Sequence, residues 1–217
     1  MATQDVLFHV DATQSCGKLV KELRNLKYSM LSFSAHKMGG PQGIGVLVLR
    51  KTHYKLPPVK RIMFGGQQEN GIRPGTVPVA LVAGCGKACE LAESEYETNQ
   101  QKCKEIQNIL ISLLNQSGVN WSINGDLAYN NGNTLNVCLH GVSSEALMLA
   151  SKAHCGISNG SACTSKIYGP SYVLVAMGLS DALISNSIRL SWDAHVDISL
   201  LRSEFTKLLT IAKELCN

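Results

Sequence analysis

One stretch constrains the fold of this chain more than any other. From residue 79 to about 114 the sequence reads as helix for most of its length, with Leu81, Leu91, Ile106, Ile109, Leu110, Leu113 and Leu114 among the apolar positions. A helix of that length links two domains. On its N-terminal side, residues 6–10, 30–34 and 44–50 are compact runs rich in branched or aromatic side chains, which predicts neighbouring strands of an α/β sheet. A glycine- and proline-rich loop follows, Phe64-Gly-Gly-Gln-Gln-Glu-Asn-Gly-Ile-Arg73-Pro-Gly75-Thr76. Beyond the helix, residues 121–124, 134–139 and 188–192 read as strands, and Ser143 caps a helix through Ser151. Asp197 opens a final helix in which Ile198, Leu201, Phe205, Leu208, Leu209 and Ala212 recur at helical spacing. The expected organisation is an α/β domain over residues 1–93 and a small α+β domain over 94–217.

With 217 residues, 45% hydrophobic and 17% charged, the chain is long enough to bury a real core. A formal charge of +4, without a continuous basic run, does not argue for nucleic acid. No apolar run approaches the roughly 20 residues that cross a bilayer. The eight cysteines accompany no secretory signal, so reduced thiols and a cytoplasmic setting are expected. Cys85 and Cys89 share a helix face, but no second ligand pair has zinc-site spacing, so no metal is expected and both read as small packed residues.

Two strand ends carry polar clusters. The first, Val6-Leu-Phe-His-Val10-Asp11-Ala-Thr-Gln14, places a carboxylate after an apolar run. Asp11 fits a helix cap, or a buried carboxylate that keeps the ring nitrogen of pyridoxal phosphate protonated; Gln14 could then donate to the ring's phenolic oxygen. The second, Ser34-Ala-His36-Lys37, runs into Met-Gly39-Gly40-Pro-Gln-Gly43-Ile-Gly45. Glycines there hold the Lys37 amine in a turn where a carbonyl cofactor can reach it. Ser34 and His36 suit its phosphate, although a lone histidine is as readily a structural hydrogen-bonding residue. Toward the C-terminus, the small polar segment Gly156-Ile-Ser158-Asn-Gly160-Ser161-Ala162-Cys163-Thr164-Ser165 exposes one thiol, which marks Cys163 as the nucleophile candidate. Cys138, inside an alternating strand, is expected to be packed. Arg189, in Ser187-Ile-Arg-Leu-Ser191, is either an ion-pair partner or a bidentate grip for a substrate carboxylate.

In this order, these residues resemble the class V, NifS-like cysteine desulfurases that depend on pyridoxal phosphate, above all the housekeeping group that supplies sulfur for iron-sulfur clusters. His9-Val-Asp11-Ala-Thr-Gln14 looks like that family's ring-binding strand end, and Ser34-Ala-His36-Lys37 like its cofactor-lysine motif. Gly65-Gly66 through Arg73-Pro-Gly75-Thr76 resembles the loop that lends a phosphate-binding threonine to the neighbouring subunit. The segment from Ser158 to Ser165 resembles the active-cysteine loop, and the strand around Arg189 the carboxylate-binding strand.

The resemblance implies an aminotransferase class V fragment, fold type I, with part of the large-domain sheet and the small domain. It implies that Lys37 and Cys163 are catalytic and that Asp11, Gln14, Ser34, His36, Lys37 and Thr76 bind the cofactor, Thr76 across a dimer interface. Arg189 would bind the carboxylate of L-cysteine. Cys163 would take the sulfur as a persulfide, release L-alanine and serve an acceptor protein. Family members are roughly twice this length, so the first part of the large domain, with a ring-stacking histidine and a glycine-threonine turn, is expected to be absent. The chain then either pairs as a homodimer or complements that missing segment, and on its own exposes apolar surface. A second departure follows Arg189, where Trp192-Asp-Ala-His195 stands in place of a glycine-arginine pair. Two other functions compete: a selenocysteine lyase, in which a mobile thiol is less essential, and a non-catalytic fragment that only binds partners.

Overall fold

A computed structural model describes residues 6–159 and 169–216. The chain divides into two compact units, Met1–Tyr96 and Glu97–Asn217. The division falls within one helix, α2 (Val79–Gln116), close to the span that the apolar positions predict.

The first unit is built on a three-stranded sheet in the order β1 (His9–Asp11), β2 (Met30–Ser34), β3 (Gly45–Leu49). β1 and β2 are parallel, with His9 opposite Met30 and Asp11 opposite Ser32; α1 (Val20–Asn25) lies in the crossover between them. β2 and β3 are antiparallel, from Met30 opposite Leu49 to Ser34 opposite Gly45. β1 begins later than residues 6–10 suggest, because ladder pairing starts at His9. Upstream of it the Phe8 carbonyl accepts both Ser29 N–H (2.8 Å) and Met30 N–H (3.1 Å). The buried apolar residues of this unit are mostly small: Ala12, Leu31, Ala35, Cys85 and Ala88. Small side chains let the backbone segments approach closely. A Cβ placed on Gly84 of α2 would lie 3.1 Å from the Pro41 ring. Cys85 faces this packing, whereas Cys89, one turn on, is exposed, so only the first of the pair is a packed residue.

The second unit has a different core. β5 (Thr134–Leu139) is the central strand, antiparallel to β4 (Trp121–Ile123) on one side and to β6 (Ser187–Ser191) on the other. Alternate residues of β5 and β6 pack on α2 residues Ile106, Leu110 and Leu114 and on α6 (Ile198–Cys216). Val137, Leu147, Leu208 and Ala212 are fully enclosed, as is Cys138, in keeping with its place in the strand. Both sequence-predicted caps form. Ser143 Oγ accepts Ala146 N–H ahead of α3 (Ser144–Ala150), and Asp197 Oδ1 accepts Leu200 N–H at 2.9 Å ahead of α6. Two short helices, α4 (Tyr172–Ala176) and α5 (Asp181–Ser185), lead into β6. A polar chain ties the sheet together. Asn124 Nδ2 donates to Asn136 Oδ1 (2.7 Å) and to Ser187 Oγ (2.8 Å), and Ser187 Oγ donates to the Leu183 carbonyl (2.6 Å).

Among the described residues, no helix is long and apolar enough to cross a membrane.

Leu208 sits at the centre of the second core, so Leu208→Ala should destabilise the protein by about 2–5 kcal/mol, read from the urea midpoint. A second prediction concerns Glu204, whose carboxylate accepts from Lys207 Nζ (2.7 Å) and hydrogen-bonds His154 Nδ1 (2.7 Å). Those hydrogen bonds hold its pKa below the ordinary glutamate value. A carboxylate with a lowered folded-state pKa stabilises the fold above its unfolded value, roughly pH 4.3, and that contribution is lost as pH falls below it. Glu204→Gln should therefore lower Tm at pH 7 and narrow the drop in Tm between pH 5 and pH 2.

Candidate functional site

Parallel pairing brings the carboxyl ends of β1 and β2 to the same edge of the first unit's sheet, the edge where α/β sheets place their ligands. Asp11 is the last residue of β1 and Ser34 the last of β2. Directly after Ser34, residues Ala35–Met38 form a single 3₁₀ turn that carries His36 and Lys37. The turn is closed by glycines. Gly39 takes a left-handed φ of 83° and donates its N–H to the Ala35 carbonyl, and Gly40 N–H donates to the same oxygen at 2.9 Å. A Cβ on Gly40 would lie 2.9 Å from Ala35 Cβ and 3.1 Å from Ala88 Cβ on α2. Only glycine permits that approach. On the other flank, Met38 Cβ would be 2.9 Å from a Cβ on Gly17. The backbone of the turn is thus gripped from two sides, while the His36 and Lys37 side chains are exposed.

Polar groups at this edge already engage one another. Ser34 Oγ and His36 Nδ1 are hydrogen-bonded at 2.7 Å, and His9 Nε2 and Ser32 Oγ at 3.1 Å. Asp11 Oδ1 accepts the Thr13 N–H at 2.9 Å. Hydrogen bonds from the Thr13 side chain and backbone hold the Asp11 carboxyl below its usual pKa, so it is an anion at neutral pH. Asp11 is exposed in this structure rather than buried as its reading as a ring partner supposes, since it closes a three-residue edge strand. Gln14 is also exposed, and its Oε1 accepts from Lys18 Nζ at 3.5 Å, leaving the amide nitrogen free to donate elsewhere.

Thr76 belongs to the same unit but to a different segment. Its loop is tied by Gly75 N–H donating to Gln68 Oε1 (3.1 Å) and by Arg73 donating to the Gly75 carbonyl (3.2 Å), with Thr76 exposed beyond them.

Arg189 lies in the second unit, half-buried in the middle of β6. Its backbone pairs with Asn136 of β5 on one side and with Ser158 on the other, through Arg189 N–H to the Ser158 carbonyl (2.6 Å) and Ser158 N–H to the Arg189 carbonyl (3.2 Å). The base of the polar segment is therefore joined to the arginine strand. Nothing in the sequence signals this bridge, because Gly156-Ile-Ser158-Asn carries no alternating pattern. Cys163, a little farther on, lies outside the described residues.

The structure thus gathers Asp11, Gln14, Ser34, His36 and Lys37 at one strand edge, and joins Arg189 to the start of the Cys163 segment in the other unit. An amine, an anionic carboxylate and a hydroxyl–imidazole pair form a donor set that fits an aldehyde cofactor with a basic ring nitrogen and a phosphate.

The chain is similar to several known proteins. A family model described as aminotransferase class-V matches residues 1–198. The chain is 42% identical over 189 residues to the cysteine desulfurase IscS of Escherichia coli O139:H28, and equally to that of Shigella boydii serotype 18, covering 86% of this chain and 45% of those proteins. Among solved structures, a NifS-like protein superposes with a TM-score of 0.84 at 29% identity, over 98% of this chain and 54% of that one. DndA from Streptomyces lividans superposes at 0.73 with 33% identity, over 87% of this chain and 52% of that one. The chain spans about half the length of the relatives it matches. On the strength of the family match across nearly its whole length, the chain belongs to the class-V aminotransferase family.

Proposed function

We propose that this chain is the catalytic C-terminal portion of a cysteine desulfurase, taking sulfur from L-cysteine, releasing L-alanine and passing the sulfur through Cys163 to an acceptor protein of iron-sulfur cluster assembly. The observation that carries the proposal is the placement of an anionic Asp11 and the clamped Lys37 turn at one edge of a parallel strand pair. Similarity to IscS proteins at 42% identity supports the choice of reaction.

Pyridoxal phosphate, when bound, supplies an aldehyde for the substrate amine and a ring that withdraws electrons from the substrate Cα. The chain's own residues do the rest. Lys37 Nζ anchors that aldehyde and handles the proton at the substrate Cα. Asp11 keeps the ring nitrogen protonated, a role its low pKa suits. Gln14 donates its amide N–H to the ring's phenolic oxygen. Ser34 and His36 hold the phosphate, joined by Thr76 from the neighbouring subunit of a homodimer. Arg189 grips the substrate carboxylate through its planar fork. The Cys163 thiolate takes the sulfur and holds it as a persulfide for the acceptor.

The experiment is incubation of the chain with pyridoxal phosphate and L-cysteine, following the visible band of protein-linked cofactor, alanine release and protein-bound sulfur. Lys37→Ala should abolish the band and lower turnover by at least about 100-fold. Cys163→Ser should keep the band and lose both alanine release and bound sulfur; unchanged alanine release in that variant would overturn the sulfur-transfer role. Gly40→Ala should weaken cofactor uptake with Lys37 intact, because the added methyl pushes the turn off Ala35 and Ala88.

A further inference from the structure

Three of the eight cysteines come together in the first unit, and the reaction proposed above uses none of them. Cys85 and Cys89 lie one turn apart on α2, with Cys85 buried and Cys89 exposed. Cys16 is half-buried in the turn at residues 13–18 that follows β1, and its N–H donates to the Ala12 carbonyl at 2.7 Å.

That turn lies along α2. A Cβ on Gly17 would be 3.4 Å from Ala92 Cβ, and Arg24 of α1 pairs with Glu93. Ala92 and Cys89 are three residues apart, the spacing of neighbours on one helix face. Contact between Gly17 and Ala92 therefore carries Cys16 to the part of α2 that holds the two thiols. The sulfurs act on one another. Burial, and after it the charges of Cys89 and Cys85, pushes the Cys16 thiol up to about 11. Burial also raises Cys89, together with the charge of Cys85 and a hydrogen bond with its thiol.

Clustered thiols serve as metal ligands or as redox partners. Among the described residues no group of three His, Cys, Asp or Glu side chains is placed to hold a metal ion. Redox pairing has a geometry that selects its members. Cys85 and Cys89 stand at i and i+4 of one helix, where Cβ atoms are about 5–6 Å apart, beyond the roughly 3.5–4.5 Å of a disulfide. Cys16, on a turn, escapes that restraint. Of its two neighbours, Cys89 is the one open to a reagent, and its charge weighs more on Cys16 than that of Cys85. We propose that Cys89 and Cys16 are an attacking and a resolving thiol, together a site of reversible oxidation by low-molecular-weight disulfides of the glutathione type.

The exchange proceeds in two steps. The Cys89 thiolate attacks one sulfur of the small disulfide, whose S–S bond breaks, giving a mixed disulfide and one departing thiolate. Cys16, its proton released to solvent, then attacks the Cys89 sulfur and expels the second small thiolate. The two protein thiols are oxidised to one disulfide; the small disulfide is reduced to two thiols, which take up the two protons. Capping Cys89 removes its charge from beside Cys16, which eases the second step. The surroundings also favour the closed form. Neither thiol is stabilised as an anion, and stabilisation of the reduced form is what makes a dithiol pair strongly oxidising. The site does not depend on the reaction assigned to the cofactor edge.

The test treats the whole chain with glutathione disulfide at about pH 8, blocks the remaining thiols with N-ethylmaleimide and maps the digest by mass spectrometry. The wild type should yield peptides linked through Cys16 and Cys89 that dithiothreitol separates. Cys16→Ser should stop the second step, so that the glutathione adduct on Cys89 accumulates about ten-fold over wild type. Cys89→Ser should remove link and adduct together, and Cys89→Ala should repeat that result. Cys85→Ala should retain the link. Exposed Cys216 of the second unit is the reference thiol, and its adduct should be equal in wild type and Cys16→Ser. Circular dichroism confirms that each variant is folded. The proposal is overturned if the Cys89 adduct is as abundant with Cys16 as without it, or if Cys16 links to Cys85 in preference to Cys89. It fails equally if the linked peptides come only from two chains joined to each other, seen as a dimer on a non-reducing gel.

Discussion

Parallel pairing of β1 with β2 is the interaction on which the proposed chemistry rests. Strands that run the same way deliver their last residues to one edge, so the register of Asp11 opposite Ser32 leaves Ser34, His36 and Lys37 just beyond it. An antiparallel pair would have sent Asp11 to the opposite end of the sheet. The pairing is short, and its working end is steadied by packing as well as by backbone hydrogen bonds, Ala12 N–H to the Ser32 carbonyl and Ala35 N–H to the Ile44 carbonyl. Ala35, Gly40 and Ala88 meet at separations that no larger side chain tolerates, which fixes the turn backbone while the lysine and histidine side chains stay open. Rigidity beneath and exposure above are what an anchoring amine needs.

The second unit solves a different problem with ordinary means. Its core of branched and aromatic side chains between an antiparallel sheet and two helices is dense, and its hydrogen-bonded asparagines and serine fix how β4, β5 and β6 are aligned. β6 is thereby a firm platform. Arg189 stands on it opposite Asn136, with its N–H and carbonyl both bonded to Ser158, which precedes Cys163 in sequence.

Charge separates two regions of the first unit that sequence proximity would merge. At the strand edge, an anion, an amine and an imidazole follow the carboxyl ends of two adjacent parallel strands. In residues 50–64, cations stand without acidic neighbours in sequence. The chain-wide charge of +4 conceals this, because the acidic residues collect on α2 and in the second unit.

By itself the sequence determined the long helix that begins at residue 79, the strands at residues 30–34 and 134–139, the Ser143 and Asp197 caps, and the family. These are written in local periodicity, in residues that cap helices, and in motifs kept in order along the chain. Cys138 could be read as buried because alternation within one strand reveals which face it occupies. Other features required the tertiary structure, because they join residues far apart in sequence. The start of β1 depended on where β2 lay, and the exposure of Asp11 and of Cys89 on what packed against each. The need for glycine at position 40 came from an alanine 48 residues away, and the link from Ser158 to Arg189 from a bridge with no local pattern. Local propensity encodes which residues form an element; only close packing and pairing between distant segments decide which side chains meet.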